Sequence, residues 1–436
     1  MDSMIFSLIF AIETKNNINM MKRTLLLLIT TVTAIYSNAQ LTLDGCKQMA
    51  HDNYPAIKQY RLIEQSRDYS MSNASKGYLP QINASAGANI FADILDIPQE
   101  AASQLGSMKN ELYSVGVQIN QVIYDGGNIS AKKKVTKAQA DVQREQLNVT
   151  MYDINSRVEQ LYFGLLMLDE QIKQNHLLQH DLGISKNTVT SMMTNGTANQ
   201  SDVDAVSVEE IKAKQSEGSL KTSRKAYLKM LETFIGEPLS DATTLEKPTG
   251  NINTPGISST NNRPELEYYA AKGKLLDEQR KALNTGLMPK LNAFGIGMYH
   301  NKVIGMMKNE LLAAGLSLSW NIGSLYTRKN DISKIETERQ QIAADRETFL
   351  FNTGLQSESS NAEITNLQQQ ITLDEDIINL RESIRSKAEK KVMNGTETVN
   401  EMLRDINSVN EARQTKAIHE IQLTKEIYNL KNINNN

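Results

Sequence analysis

Cysteine occurs once in this chain, proline only eight times in 436 residues, and aromatic side chains make up 6%. The lone Cys46 excludes an intrachain disulfide. Its Leu43-x-x-Cys46-x-x-x-Ala50 spacing places it as a small residue on the buried side of a helix. No basic neighbour sets up a thiolate, so a reactive role is not expected. Charge of one sign is also lacking: the formal net charge is −3, with no basic footprint for nucleic acid. So few aromatics, beside much Gln, Asn, Lys, Glu and Ala, argue against a thick globular core and for long solvated helices. Beyond the amino terminus no apolar run reaches the length of a membrane-crossing helix. Serine–histidine–aspartate, phosphate-loop and nucleotide-fold patterns are missing too. An enzyme is not expected, nor a cofactor.

The amino terminus has a pattern of its own. Met21-Lys22-Arg23, the apolar run from Leu25 to Ile35 and the small residues Ser37-Asn38-Ala39 form a signal peptide cut before Gln40. Residues 1–20 precede it as a misassigned start or a longer leader, so 1–39 is set apart from the mature chain. Leu43-Asp44-Gly45-Cys46 loosely resembles a lipoprotein cleavage box but lies too far beyond the apolar run.

The prolines are unevenly spread. Gly127 to Val203 has none, and from Leu147 its apolar residues step by four and three: Leu147, Met151, Ile154, Val158, Leu161, Leu165, Leu168, Ile172. That is a heptad seam, which keeps one stripe of a long helix against its neighbours. The seam shifts phase and resumes at Leu178, Leu182 and Val189, a local change of winding. At about 1.5 Å per residue, the stretch from Gly127 to the Asn-Gly turn would span on the order of 100 Å. A helix of that length must lie beside others like it.

The design occurs twice. Asn394-Gly395-Thr396 repeats Asn195-Gly196-Thr197, and the stretch before it, Ser324 to Met393, is again proline-free. Its apolar residues are Ile335, Ile342 and Phe349, then Ile364, Leu367, Ile371 and Ile378. Pro55 and Pro80 are echoed by Pro264 and Pro289 at a common offset, which makes two copies of one unit. Repeat 1 covers 40–245 and repeat 2 covers 264–432. A proline- and serine-rich linker (246–263) separates them, and 433–436 is expected as a disordered tail, beginning near Asn432.

Between these helical stretches the period changes to two. Ile82, Ala84, Ala86, Ala88 and Ile90 alternate with polar or small residues, as do Tyr113, Val115, Val117 and Ile119. So do Ala314, Leu316, Leu318, Trp320 and Ile322, whereas in the partner segment Phe294, Ile296 and Met298 face opposite Leu291 and Ala293. Four strands are predicted, at about 79–91, 111–124, 288–300 and 311–322. A soluble hairpin with one face on a core explains one such pair; two matched pairs behind a signal peptide favour a membrane β-barrel. Tyr78, Tyr124 and Trp320 would mark one interface, and Phe91, Tyr113 and Tyr299 the other. Four strands cannot close, because about eight is the smallest closed barrel, so strands must be shared between protomers. The fold class is mainly α with a membrane β-barrel.

In their order, these motifs resemble the TolC-type outer-membrane factor family over about residues 41–430. The opening Leu41-x-Leu43…Cys46…Ala50…Asn53-x-Pro55, then Tyr78-Leu79-Pro80 and the turn Tyr124-Asp125-Gly126-Gly127 carry the likeness. So do the tips Gly196-x-x-x-x-Ser201-Asp202-Val203 and Gly395-Thr396-x-Thr398-Val399-x-x-x-Leu403. The second copy departs at Asn321-Ile322-Gly323-Ser324, which lacks Asp-Gly-Gly. The resemblance implies a homotrimer, with a twelve-stranded barrel in outer-membrane lipid continued by a twelve-helix tunnel across the periplasm of a Gram-negative bacterium. It implies a passive exit duct for a tripartite efflux pump or type I secretion. The partners implied are a periplasmic adaptor (membrane fusion protein) and an inner-membrane transporter of the RND or ABC type. A periplasmic adaptor or coiled-coil scaffold is the alternative; an adaptor would show one helical hairpin and an inner-membrane anchor.

Two groups of residues are candidate sites. Asn195, Gly196, Thr197, Ser201, Asp202 and Val203, with Asn394, Gly395, Thr396, Val399 and Leu403, form the tips. The glycines permit chain reversal, Ser201 and Asp202 are placed to cap the returning helix, and the resemblance assigns adaptor docking to the region. Glu397, Glu401 and Asp405 recur one turn apart with Arg404 beside them. Spacing alone gives a solvated acidic stripe; the resemblance implies a periplasmic gate, with Arg404 where another acid is expected and within reach of Glu401. His176 and His180 also lie one turn apart, but with no third ligand nearby no metal site is expected.

Overall fold

The computed structural model describes residues 40–90, 111–248, 262–301 and 308–435. The signal peptide, Phe91 and the linker from 249 to 261 lie outside them. Within the described residues the elements are α1 (Leu43–Asn53), α2 (Lys58–Ser75), β1 (Gln81–Ile90), β2 (Glu111–Tyr124), α3 (Asn128–Thr194) and α4 (Gln200–Ile235). They continue as α5 (Pro264–Thr285), β3 (Lys290–His300), β4 (Glu310–Ser319), α6 (Ser324–Met393) and α7 (Val399–Asn434). The first copy opens with two helices and the second with one; in each, two strands and two long helices follow. The chain divides into two compact units.

One unit comprises 55–154, 255–362 and 429–436 and contains the strands. They form a single antiparallel sheet in the order β1-β2-β3-β4. β1 and β3 are entered from helices, and β2 and β4 lead into helices, so antiparallel pairing brings all four helical connections to one end of the sheet. The register pairs like with like: Ile82 faces Ile119, Ala84 faces Val117, Leu291 faces Leu318 and Ala293 faces Leu316. One face is therefore aliphatic from edge to edge. Its large side chains are uncovered, with Ile82, Val115, Leu316 and Leu318 all exposed.

The turn from β2 into α3 explains its motif. Gly126 and Gly127 both take left-handed backbone, with φ of 71° and 84°. The buried Asp125 accepts from Gly127 N at 2.9 Å and from Ile129 N at 2.6 Å, using two amide donors that the new helix leaves free. Tyr78 O–H donates to the same carboxylate at 3.4 Å, which ties the Tyr78-Leu79-Pro80 entry to this turn. The second copy reaches a similar reversal by other means. Asn321 Oδ1 accepts from Gly323 N at 3.1 Å, and Ser324 Oγ donates to the Asn321 and Gly286 carbonyls. An amide oxygen thus replaces one carboxylate oxygen, and no left-handed residue is required there. β4 ends at Ser319, three residues short of the predicted 322, because Trp320 Nε1 turns to donate to Leu287 O at 2.9 Å. The expected tail is also helical as far as Asn434, whose side chain meets Ser357 Oγ and Leu430 O, while Asn435 donates to Asn262 O.

The other unit comprises 1–54, 155–254 and 363–428. Cys46 is fully buried on α1 between Leu43 and Ala50, and burial pushes its thiol pKa up to about 12. Asn53 Nδ2 donates to the carbonyls of Thr233 and Phe234 at the end of α4. Tyr54 stacks on Phe234, and the left-handed Gly236 follows at the helix C-terminus. That is the work of the Asn53-x-Pro55 motif. Asp181 on α3 binds Arg385 of α6 at 2.5 Å and lies 3.8 Å from Arg413 of α7, so helices from both repeats share one charge cluster. Along α3 the predicted seam is only partly core: Leu147, Met151, Ile154, Val158, Leu165, Leu182 and Val189 are buried, whereas Leu161, Leu168, Ile172 and Leu178 are half-buried.

A methyl group added at Gly126 would sit 2.7 Å from Met288 Cβ, whereas at Gly127 the nearest atom is 3.9 Å away. Both substitutions carry a left-handed strain of roughly 1–2 kcal/mol. Gly126→Ala should add a packing conflict of about 1–3 kcal/mol. The expected result is a clearly larger fall in thermal midpoint for Gly126→Ala than for Gly127→Ala in detergent. Equal falls would show that the Met288 contact gives way freely.

Candidate functional site

Each helical hairpin ends in the same local chemistry. At the first tip Gly196 N donates to Met193 O at 3.0 Å and Thr197 N to Met192 O at 2.9 Å; at the second, Gly395 N donates to Val392 O and Thr396 N to Lys391 O. These paired bonds close a helix C-terminus around a left-handed residue, supplied by Gly196 (φ 76°) and Gly395 (φ 70°). Asn195 and Asn394 are not left-handed; each precedes the glycine as the last residue before the reversal. Thr197 and Thr396 add hydroxyl donors to the same Met192 and Lys391 carbonyls. Asn195, Gly196, Thr197, Asn394, Gly395 and Thr396 are exposed, and a Cβ on either glycine would meet nothing within 4 Å.

The returning helices begin on capping boxes. At the first tip the cap is Asn199, whose side chain accepts from Asp202 N at 3.1 Å while Asp202 Oδ2 accepts from Asn199 N at 3.0 Å. Asp202 therefore has the expected capping role in its reciprocal form. Ser201 does not cap: it stands exposed in the first turn. At the second tip Thr398 Oγ1 accepts from Glu401 N at 3.3 Å, and Glu401 Oε2 accepts from Thr398 N at 3.0 Å and from its hydroxyl at 2.9 Å. The Thr398 backbone bond first, then its hydroxyl, holds the Glu401 carboxyl below its ordinary pKa, with the nearby Arg404 and Lys391 assisting. Asn199-x-x-Asp202 and Thr398-x-x-Glu401 have the spacing of a capping box, and that was the signal available in the sequence.

Beneath the turns lies a shared apolar core. Leu182, Val189, Val203, Val206, Val392, Val399, Met402, Leu403 and Ile406 are buried together, drawn from all four hairpin helices. Val203, Val399 and Leu403 thus hold the tips together from inside rather than presenting their side chains at the surface.

The acidic stripe is divided. Glu397 lies 3.5 Å from Lys391 across the turn, Glu401 is engaged by its cap, and Asp405 is partly buried. Arg404 forms no ion pair with Glu401. It lines a groove of about 530 Å³ between the two returning helices, with Ala205, Val208 and Glu209 on α4 and Asn407 and Glu411 on α7. Asn407 Nδ2 donates to Glu209 across this groove at 3.2 Å, and Lys212 and Asn407 hold the Glu209 carboxyl below its ordinary pKa. His176 bonds Glu217 at 2.9 Å, whereas His180 is exposed.

Comparison with known proteins places this geometry. The family model described as outer membrane efflux protein matches residues 47–237. No curated protein matches the chain. Solved structures do. The outer membrane protein VceC of Vibrio cholerae is 13% identical with a TM-score of 0.62, over 90% of this chain and 94% of its own. The CmeC outer membrane channel of Campylobacter jejuni is 13% identical with a TM-score of 0.64, over 90% and 85%. The open state of the MtrE outer membrane channel of Neisseria gonorrhoeae is 12% identical with a TM-score of 0.63, over 90% and 88%. At such identities the likeness is one of fold, and it spans nearly the whole of each chain. An adaptor or scaffold is not favoured beside these matches. Residues 47–237, which hold the first strand pair and the first long helical hairpin, match the outer membrane efflux protein family, and the second copy repeats that order of elements.

Proposed function

We propose that this protein is an outer-membrane efflux channel that works as a homotrimer and a passive exit duct. Three sheets join edge to edge into a twelve-stranded barrel in outer-membrane lipid, and the helices continue it as a twelve-helix tunnel into the periplasm. One observation carries this reading: β1 and β4 are the outer strands of a four-stranded sheet whose aliphatic face is uncovered. Lipid offers no partner to the free amides and carbonyls of an edge, so the strands of other copies must supply them. A second observation agrees. Leu373, Ile377, Leu380 and Ile384 step along α6 by four and three yet stand exposed, a seam with nothing against it in one protomer. Purified from outer membrane in detergent, the protein should run as a trimer and open ion channels in planar bilayers. A monodisperse, detergent-free monomer would overturn the reading.

The tips are the docking end. The partner proposed is a periplasmic adaptor (membrane fusion protein), which links the duct to an inner-membrane transporter of the RND or ABC type. The exposed turns at Asn195-Gly196-Thr197 and Asn394-Gly395-Thr396 offer backbone and small polar groups, while Val203, Val399 and Leu403 support them from below. The Gly196→Val and Gly395→Val changes should each strain a turn by roughly 1–2 kcal/mol without a steric clash. Export should fall while trimers still assemble and insert. Unchanged export in both variants, or failure to assemble, would remove docking from these turns.

Glu401 is the proposed gate carboxylate, with Glu397 and Asp405 on its stripe and Arg404 in the adjoining groove. In a three-fold tube it recurs three times at one level, and charges focused in a narrow mouth favour cations. Its bond to Thr398 provides a control. Glu401→Gln removes the charge but keeps an oxygen for the cap, whereas Thr398→Ala removes the cap and keeps the charge. Reversal potentials at low salt should shift in Glu401→Gln and stay near wild type in Thr398→Ala. If neither variant moves the reversal potential, Glu401 serves only as a helix cap.

A further inference from the structure

The second face of the sheet is polar along β1 and most of β2, and its apolar residues gather on and beside β3, with Val122 of β2 and Leu311 and Ala313 of β4 flanking it. Pairing puts Asn83, Ser85 and Asn89 of β1 on that face with Ser114, Gln118 and Asn120 of β2, and Ser317 and Ser319 of β4. On the same face β3 presents Phe294, Ile296 and Met298 in succession. Phe294 lies between Asn120 and Gly315, Ile296 between Gln118 and Ala313, and Met298 between Gly116 and Leu311. Small neighbours give these side chains room to lie along the sheet. A Cβ at Gly315 would sit 3.2 Å from the Phe294 ring, and one at Gly116 would sit 3.4 Å from Met298 Cβ. The three side chains are only partly covered.

Charge is missing from the same surface. Among the described residues, the strand positions on this face carry no Asp, Glu or Arg, and the ionisable side chains Lys290 and His300 stand at the two ends of β3. Glu111 and Glu310 belong to the aliphatic face and lie at the far end of their strands. Between those ends a barrel with this face inward has a wall without ionisable side chains, so charge does little to sort solutes along it. Apolar area can sort them. Eight strands close on an interior filled by side chains, and twelve leave a wider lumen, so side chains lying against the wall line the passage without plugging it.

We propose that Phe294, Ile296 and Met298 form an apolar contact strip for cargo, one per protomer, which makes the barrel discriminate solutes by apolar area rather than by charge. The strip rests on the trimeric-channel reading above. Its occupant is the hydrocarbon part of a small amphiphilic solute, held by burial of apolar surface against the strip while its polar part stays in the water of the lumen.

The test is single-channel recording with tetraalkylammonium ions of increasing chain length as blockers. Full burial of a methylene gives about a fourfold gain in affinity, so a half-covered contact should give roughly twofold per methylene in the wild type. In the triple variant Phe294→Ser, Ile296→Ser, Met298→Ser this dependence should flatten while potassium conductance persists. A second variant, Phe294→Tyr with Met298→Gln, nearly preserves the volume over Gly315 and Gly116, and should weaken the dependence even where the triple variant does not assemble. An unchanged chain-length slope in the volume-preserving pair would show that the side chains only fill space above glycines, and would overturn the proposal. A wild-type channel that conducts without any slope would overturn it too, leaving the duct intact. A wild type that forms no channel would instead sink the trimeric reading and the strip with it.

Discussion

Unpaired backbone at a sheet edge is the constraint on which the rest of this protein depends. β1 and β4 each use one side of their backbone for pairing within the sheet. In water the other side would be hydrated at little cost; in hydrocarbon each unsatisfied group costs several kcal/mol. The aliphatic face of the same strands leaves water as a poor alternative, since Ile82, Val115, Leu316 and Leu318 would remain exposed there. The proposed assembly meets both problems with further copies of the sheet within a bilayer. All four strands meet their helices at the same end, so closing the barrel also gathers the helical connections into a ring. The proposed barrel and tunnel thus answer one backbone requirement.

The helical tips obey a different logic. A turn that must be exposed cannot draw stability from its own side chains, so stability comes from just beneath it. The left-handed glycine closes the arriving helix, a reciprocal cap opens the returning one, and the buried Val203, Val399 and Leu403 tie four helices together below. Six exposed turn residues stay free of structural duty in their side chains, apart from the Thr197 and Thr396 hydroxyls. A surface built in this way can meet a partner without first breaking its own packing.

Much of this was legible in the sequence because it rests on period and punctuation. The seam from Leu147 to Val189, the two Asn-Gly-Thr turns, the Asp125-Gly126-Gly127 turn and the four strands depend on local spacing and on glycine, and they appear where the spacing puts them. What depended on three-dimensional neighbours was less legible. Val203, Val399 and Leu403 fall in exposed-looking tip motifs, and only the packing of four helices shows them to be buried. Ser201 and Asp202 are adjacent in sequence, yet the cap geometry recruits Asp202 with Asn199 and leaves Ser201 out. Glu401 and Arg404 have the spacing of a pair, but the stronger local partner of the carboxylate is Thr398, and Arg404 turns to the groove beside α4. The carboxy-terminal asparagines lack any apolar signal and are ordered by contacts with Ser357 and Asn262, far away in sequence.

The two repeats share a plan but have not kept the same division of apolar surface. On α3 most of the heptad residues are buried within the protomer, down to full burial at Val158, Leu165 and Leu182, and the rest are half-buried. On α6 a comparable series, Leu373, Ile377, Leu380 and Ile384, is left outside, and Leu380 is 66% exposed. Exposed leucine and isoleucine at heptad spacing cost solubility and contribute nothing to an isolated chain, so a regular series of them implies a partner helix. α6 also has its own inward contacts at Leu367 and through Arg385 to Asp181. It therefore makes contacts within its own protomer on one side and leaves a regular apolar series exposed on another. A helix between two neighbours in a ring needs that arrangement, whereas a helix at the rim of a single bundle does not. The divergence of the repeats thus agrees with the proposed assembly, as the open sheet edges do, from side chains in one case and from backbone in the other.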